Sequence, residues 1–190
     1  MNAPPSDPII PRVEVIRSVT SSRIRSKSLR GLLAYWQAKQ QVLGRMPARP
    51  DLQPDEMVPF LPFVSLIDVQ QQPLRFRFRL VGTGIVGAFG QETTRRLVDE
   101  DLFGSNADEV ERFFSIPLDT HGAAYASGEY AVAPSGRSLG FESLLLPLST
   151  DGQSIDMLLG GLVGQRLQPD ERVSGFHYDF YCPVVQTAAG

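Results

Sequence analysis

Leu74-Arg-Phe-Arg-Phe-Arg-Leu80 alternates a large apolar side chain with an arginine at every step. Period two is the repeat of a β-strand, whose successive side chains stand on opposite faces. Phe76, Phe78 and Leu80 are expected on one face, and Arg75, Arg77 and Arg79 on the other. A half-buried strand of this kind belongs to an antiparallel sheet. Just before it, Phe63-Val-Ser-Leu-Ile-Asp-Val69 is β-prone, and residues 70–73 supply a turn. The two runs read as a hairpin.

Working outward, the C-terminal half holds three more strand-like runs, at residues 123–133, 139–148 and 155–164. The turns Pro134-Ser-Gly-Arg137 and Thr150-Asp-Gly-Gln153 separate them. Phe141-Glu-Ser-Leu-Leu-Leu-Pro-Leu148 and Met157-Leu-Leu-Gly-Gly-Leu-Val163 are apolar on both faces, so both sides of the sheet must be covered. Helical periodicity supplies the covers. Leu29, Leu32, Leu33, Trp36 and Leu43 share one helical face, with Ser28 placed to cap the start and Gly44 the end. A short turn is expected around residues 55–58, and a short helix over residues 84–89. Asn106 can cap a longer helix that includes Phe113, with Pro117 expected to disturb it. The Trp36 helix is assigned to the outer face and the Phe113 helix to the inner one. Hairpins at both ends with helices between make an α+β pattern.

Length and composition set limits. A chain of 190 residues with 42% hydrophobic and 21% charged residues is expected to form one globular domain. Its net charge of −3 is uneven. Residues 1–30 carry Arg12, Arg17, Arg23, Arg25, Lys27 and Arg30 against only Asp7 and Glu14, and the rest is acidic. Residues 1–28 read as a Pro-rich, basic disordered arm, residues 29–165 as the domain, and residues 166–190 as a tail. The arm reads as solvated, with binding of an anionic polymer as the alternative. The acidic body makes nucleic acid an unexpected partner. With one cysteine, Cys182, no disulfide within the chain is expected, and two histidines and one cysteine do not make a structural zinc site. No apolar run is long enough for a membrane span, and the first residues lack the pattern of a signal peptide. The cytoplasm is the expected location.

Several short motifs recur in a telling order: Arg45-x-Pro47, Asp51, Leu61-Pro62, Phe78-Arg-Leu-Val-Gly-Thr83, Leu144-Leu-Leu-Pro-Leu148 and Asp156-Met-Leu-Leu-Gly160. Together they closely resemble a family of stand-alone bacterial PAS-type proteins, known mainly from alphaproteobacteria, over roughly residues 29–165. The resemblance implies a five-stranded antiparallel sheet in the order 2-1-5-4-3 and a sensory or interaction role in signal transduction. It implies no particular ligand.

Gly82-Thr-Gly-Ile-Val-Gly87 matches G-x-G-x-x-G after a strand, as in dinucleotide-binding loops. The preceding strand is half-polar rather than doubly buried, so a tight strand-to-helix turn is the preferred reading and a nucleotide-binding enzyme the alternative. Haem-binding PAS domains take an axial histidine from the helix before the third strand. His121 lies there, in Asp119-Thr-His-Gly122, but outside any matching motif. Photoactive flavin domains need a reactive cysteine where residues 92–102 have none. Neither cofactor is expected. The acidic sets Asp99-Glu-Asp101 and Asp108-Glu-x-Glu111 read as solvated faces. No catalytic group is assigned.

Glu142 stands out inside an apolar strand, and a buried carboxylate needs a partner. Arg79 is the candidate, either as a structural ion pair or in a pocket. Phe76, Phe78, Phe89, Phe103, Phe113, Phe114 and Tyr125 read as core, with the lining of a small apolar ligand's cavity as the alternative. Leu29, Leu32, Leu33 and Trp36 are the candidate interface, through which a homodimer or a signalling partner would receive the output.

Overall fold

The computed structural model describes residues 13–16, 23–132, 137–166 and 178–181. Its centre is one antiparallel sheet of five strands: β1 (Val64–Gln71), β2 (Leu74–Val81), β3 (Ala124–Val132), β4 (Arg137–Leu148) and β5 (Met157–Arg166). The strand order is β2-β1-β5-β4-β3, so the last strand lies between the two hairpins. This is the 2-1-5-4-3 order expected of the α+β fold.

The sheet separates two apolar layers. Helix α1 (Lys27–Leu43) covers the outer face, where Leu29, Leu32, Leu33 and Trp36 pack with Tyr125, Leu144, Leu146, Leu148 and Leu159. The Trp36 Nε1–H donates to the Pro147 carbonyl at 2.9 Å, which fixes the helix against β4. The helix is capped two residues earlier than expected: Ser26, not Ser28, accepts from the Leu29 N–H. Gly44 ends it in the left-handed region, at φ 65°. Ile24 is buried in the same layer, so the folded body begins before residue 29.

On the inner face lie α3 (Thr83–Phe89), α4 (Glu100–Phe103) and α5 (Ala107–Thr120), with a short α2 (Pro54–Met57) before the sheet. Helix α5 runs through Pro117 instead of breaking there. Phe113, Phe114 and Pro117 are all buried on it, so the packing of this face offsets the one helical hydrogen bond that the proline removes. Two short strands, Val13–Ile16 and Tyr178–Tyr181, pair in parallel outside the sheet, so neither arm nor tail is wholly without structure. Residues 133–136 of the β3–β4 turn, and Cys182, lie outside the described residues.

The alternating run does not keep its alternation. The β1–β2 register shifts between Leu66 and Ile67: Ile67 pairs with Phe78 but Leu66 with Leu80, leaving Arg79 as the extra residue of a bulge. Leu80 is thereby turned away from the Phe76 side, where the sequence pattern had placed it, and is 46% exposed. The free edge of β2 is partly covered, because the loop before α4 pairs with it through Phe78 N–H to Arg96 O (3.0 Å) and Val98 N–H to Phe76 O (2.9 Å).

Helix α1 approaches the sheet over Gly161, where an added Cβ would stand 2.6 Å from Leu29 Cδ2 and 2.8 Å from Leu32 Cδ2. Both leucines are fully buried and have little room to yield. Gly161→Ala is expected to cost about 1–3 kcal/mol of stability by overpacking. Urea denaturation of the two proteins measures it; equal midpoints would show that the helix is not seated as described.

Candidate ligand cavity

The inner face is not filled. A cavity of about 270 Å³ lies between the sheet and α3, α4 and α5. Its floor explains it. Ser65 on β1, Gly160 on β5, Ser143 on β4 and Ala126 on β3 are all small, on strands otherwise rich in leucine. Its walls are large: Phe78, Phe103, Phe113, Phe114, Ile85 and Leu102 close over the small residues. Phe114 is the hub of the aromatic wall, with edge-on contacts to Phe76, Phe78 and Phe113 at centroid distances of 5.5, 6.0 and 6.1 Å. The bulge at Arg79 turns Val81 rather than Leu80 to the cavity, beside Ser65.

Glu142 is on the opposite face, only 6% exposed. Its carboxylate accepts the backbone N–H of Arg25 and of Ser26, each at 2.7 Å, and the hydroxyl of Tyr125. Arg25 Nε lies 3.9 Å away. The three donors satisfy the carboxylate in an otherwise apolar layer. Burial, and then the adjacent carboxylate, pushes the Tyr125 phenol well above its usual range, so it remains a donor. Arg30 donates to the Ile24 and Arg25 carbonyls. The start of α1 is therefore held by β4, and Arg25, a cation of the expected arm, belongs to the folded body.

A family model matches residues 24–163, and its description is the PAS domain. The chain belongs to the PAS domain family. The match starts at Ile24, the first buried residue among those whose burial is described. Among solved structures, the PAS chain is similar to a sensory box sensor histidine kinase from Vibrio cholerae. The identity is 18%, the TM-score 0.40, and the match covers 72% of this chain and 99% of that one. It is similar to VqmA bound to DPO at 11% identity and TM-score 0.43, covering 63% of this chain and 59% of that one. A Vibrio cholerae VqmA dimer in the absence of target DNA matches at 12% and 0.43, covering 63% and 55%. No curated protein matches significantly.

The PAS sheet separates the expected site residues. Phe78, Phe103, Phe113 and Phe114 line the cavity. Phe76 is packed behind it, against Phe114, and the side chain of Phe89 lies outside the described residues. Tyr125 and Glu142 face α1, across the sheet from the cavity. Arg79 is not the partner of Glu142; its Nε binds Asp68 Oδ1 at 2.7 Å on the exposed side of the hairpin. The candidate interface residues are a further correction: Leu29, Leu32, Leu33 and Trp36 are at most 2% exposed, so their own sheet uses them. His121 is exposed, at the left-handed end of α5 (φ 52°). The floor residues were missed. Their signal was present as small residues on the cavity side of apolar strands, but large aromatics drew the attention.

The glycines of Gly82-Thr-Gly-Ile-Val-Gly87 have a packing role. An added Cβ at Gly82 would stand 2.6 Å from the Leu61 carbonyl oxygen and closer still to that of Pro62. At Gly84 it would meet the Pro62 carbonyl at 2.8 Å and the Phe63 ring at 2.9 Å. The chain before β1 thus occupies the approach that a pyrophosphate would need. At Gly87 an added Cβ meets nothing within 4 Å. Gly82→Ala is expected to lower stability by about 1–3 kcal/mol, as overpacking does. Gly87→Ala is expected to be neutral or to raise it by up to about 1 kcal/mol, as in a helix interior. Thermal melts of both read the contrast, and equal effects would speak against the packing role.

Removing the carboxylate tests the other face. Glu142→Ala strands two N–H groups and a buried hydroxyl and is expected to cost about 2–4 kcal/mol, against about 1–2 kcal/mol for Tyr125→Phe. The check is denaturant unfolding together with amide exchange at residues 24–29, which should quicken most in Glu142→Ala.

Proposed function

We propose that this PAS domain is the sensory module of a bacterial signalling system, taking a small molecule into the cavity and passing its presence to a protein partner or a second copy. The carrying observation is the alternation along β4. Phe141, Ser143 and Leu145 line the cavity, while Glu142 and Leu144 hold the start and body of α1 on the other face. A strand shifted by a ligand moves both sets together, because successive side chains share one backbone. Occupancy therefore biases how tightly α1 and the segment before it are held. The output runs through the outward surface of α1 and the residues before Ile24, not through the buried Leu29, Leu32, Leu33 and Trp36. The cytoplasm is the compartment that suits such a sensor, and no helix among the described residues is long and apolar enough to cross a membrane.

Native mass spectrometry of the full chain tests the reading, because it reports bound small molecules and stoichiometry together. The expected result is a protein carrying a small noncovalent mass, with amide exchange at residues 24–33 that differs between loaded and emptied protein. Protein that stays unliganded after incubation with a bacterial metabolite extract would overturn the sensory reading. Exchange at residues 24–33 that ignores occupancy would overturn the path through β4.

A further inference from the structure

We infer that the cavity selects an uncharged ring compound of roughly ten to fourteen non-hydrogen atoms, with a hydrogen-bonding group turned toward Ser65. The inference rests on reading the cavity as a ligand site, and three observations then narrow the ligand.

The first is charge. Among the described residues, no Asp, Glu, Lys, Arg or His side chain lines the cavity; the polar members are Ser65, Gln91, Thr93, Asn106 and Ser143, all neutral. An ion moved from water into such a space loses hydration and finds no counter-charge, a cost of several kcal/mol in proteins. The start of α5 gives an anion no help. Asn106, which precedes the helix, lines the cavity, but Asp108 and Glu109 in the first turn offset the positive helix end. A cation would meet phenylalanine faces without a carboxylate behind them, and cation–π attraction, even when desolvated, is weaker than the hydration the ion gives up.

The second is size. A cavity of about 150 Å³ lined by aliphatic and aromatic groups admits benzene. This one is about 270 Å³, room for a fused or substituted ring and below the usual span of drug-sized sites.

The third is the placing of the polar groups. Ser65 and Ser143 both belong to the floor, but β5 lies between their strands and Gly160 is paired there with Leu145 rather than Ser143, so one ligand group meets one hydroxyl. Gly160 pairs directly with Ser65 across β1 and β5. An added Cβ at Gly160 would overlap Ser65 Oγ and stand 3.0 Å from Ile67 Cδ1. The glycine thus keeps the Ser65 hydroxyl uncovered at the bottom of an apolar space. One neutral donor–acceptor edge on an apolar ring matches that layout.

The test uses the full chain, ¹⁵N-labelled, titrated with benzamide and 2-naphthamide and with the carboxylate and aminomethyl counterpart of each. The amides are expected to shift the signals of Ser65, Ser143 and Gly160, with 2-naphthamide the tighter. The charged counterparts are expected to bind at least about tenfold more weakly, equivalent to 1.4 kcal/mol. Ser65→Ala should weaken the better amide by about threefold to tenfold while the protein's spectrum stays folded, and Gly160→Ala should abolish the shifts at the floor. A charged member binding in the cavity as tightly as its amide overturns the ligand class and leaves the cavity reading standing. An unchanged amide affinity in Ser65→Ala overturns the assigned polar edge. If none of the six compounds perturbs the cavity at millimolar concentration, the inference fails, and the native mass spectrum separately decides whether the sensory reading fails with it.

Discussion

A strand buried on both faces has no side to turn to water, so each face must find a cover, and β4 is such a strand. Leu144, Leu146 and Leu148 require α1, while Leu145 requires the α5 side. Glu142 shares the α1 face, and a carboxylate there needs its donors supplied locally. The donors are the N–H groups of Arg25 and Ser26 and the Tyr125 hydroxyl. One charged group in an apolar strand therefore sets where the N-terminal helix begins and ties it to the sheet. Trp36, bonded to the Pro147 carbonyl of the same strand, sets where the helix lies.

The two faces solve the covering problem differently. Under α1 the leucines interdigitate and Gly161 lets the helix come close. On the other face the helices bring large rings, yet the floor beneath them is Ser65, Gly160, Ser143 and Ala126. Large over small leaves space, and empty volume in a close-packed interior lowers stability. A chain that carries this cost at four strand positions has a cavity built into its sequence.

The G-x-G-x-x-G segment shows why a motif is read through its surroundings. The same spacing that brings backbone close to a pyrophosphate also lets two chain segments cross at short range. Here Gly82 and Gly84 face the carbonyls of Leu61 and Pro62, while Gly87 faces open space. The glycines are explained by the crossing, and the alternating strand before them already pointed away from a doubly buried Rossmann strand.

Period-two and period-3.6 patterns are local properties, so the sequence by itself determined the five strands, helices α1 and α5, and the need for covers on both faces of the sheet. The ordered short motifs added the strand order. Other features depend on residues far apart in the chain, which no local pattern reports. Register is one: the bulge at Arg79 exchanged Leu80 for Val81 at the cavity. Pairing is another: Glu142 found backbone donors 116 and 117 residues away instead of Arg79. Volume is the last. The aromatic wall was legible from Phe78, Phe103, Phe113 and Phe114, but a hollow exists only where four strands turn small residues to one face, Ser65 paired with Gly160 and Ala126 with Ser143. Only the tertiary structure could bring those four together.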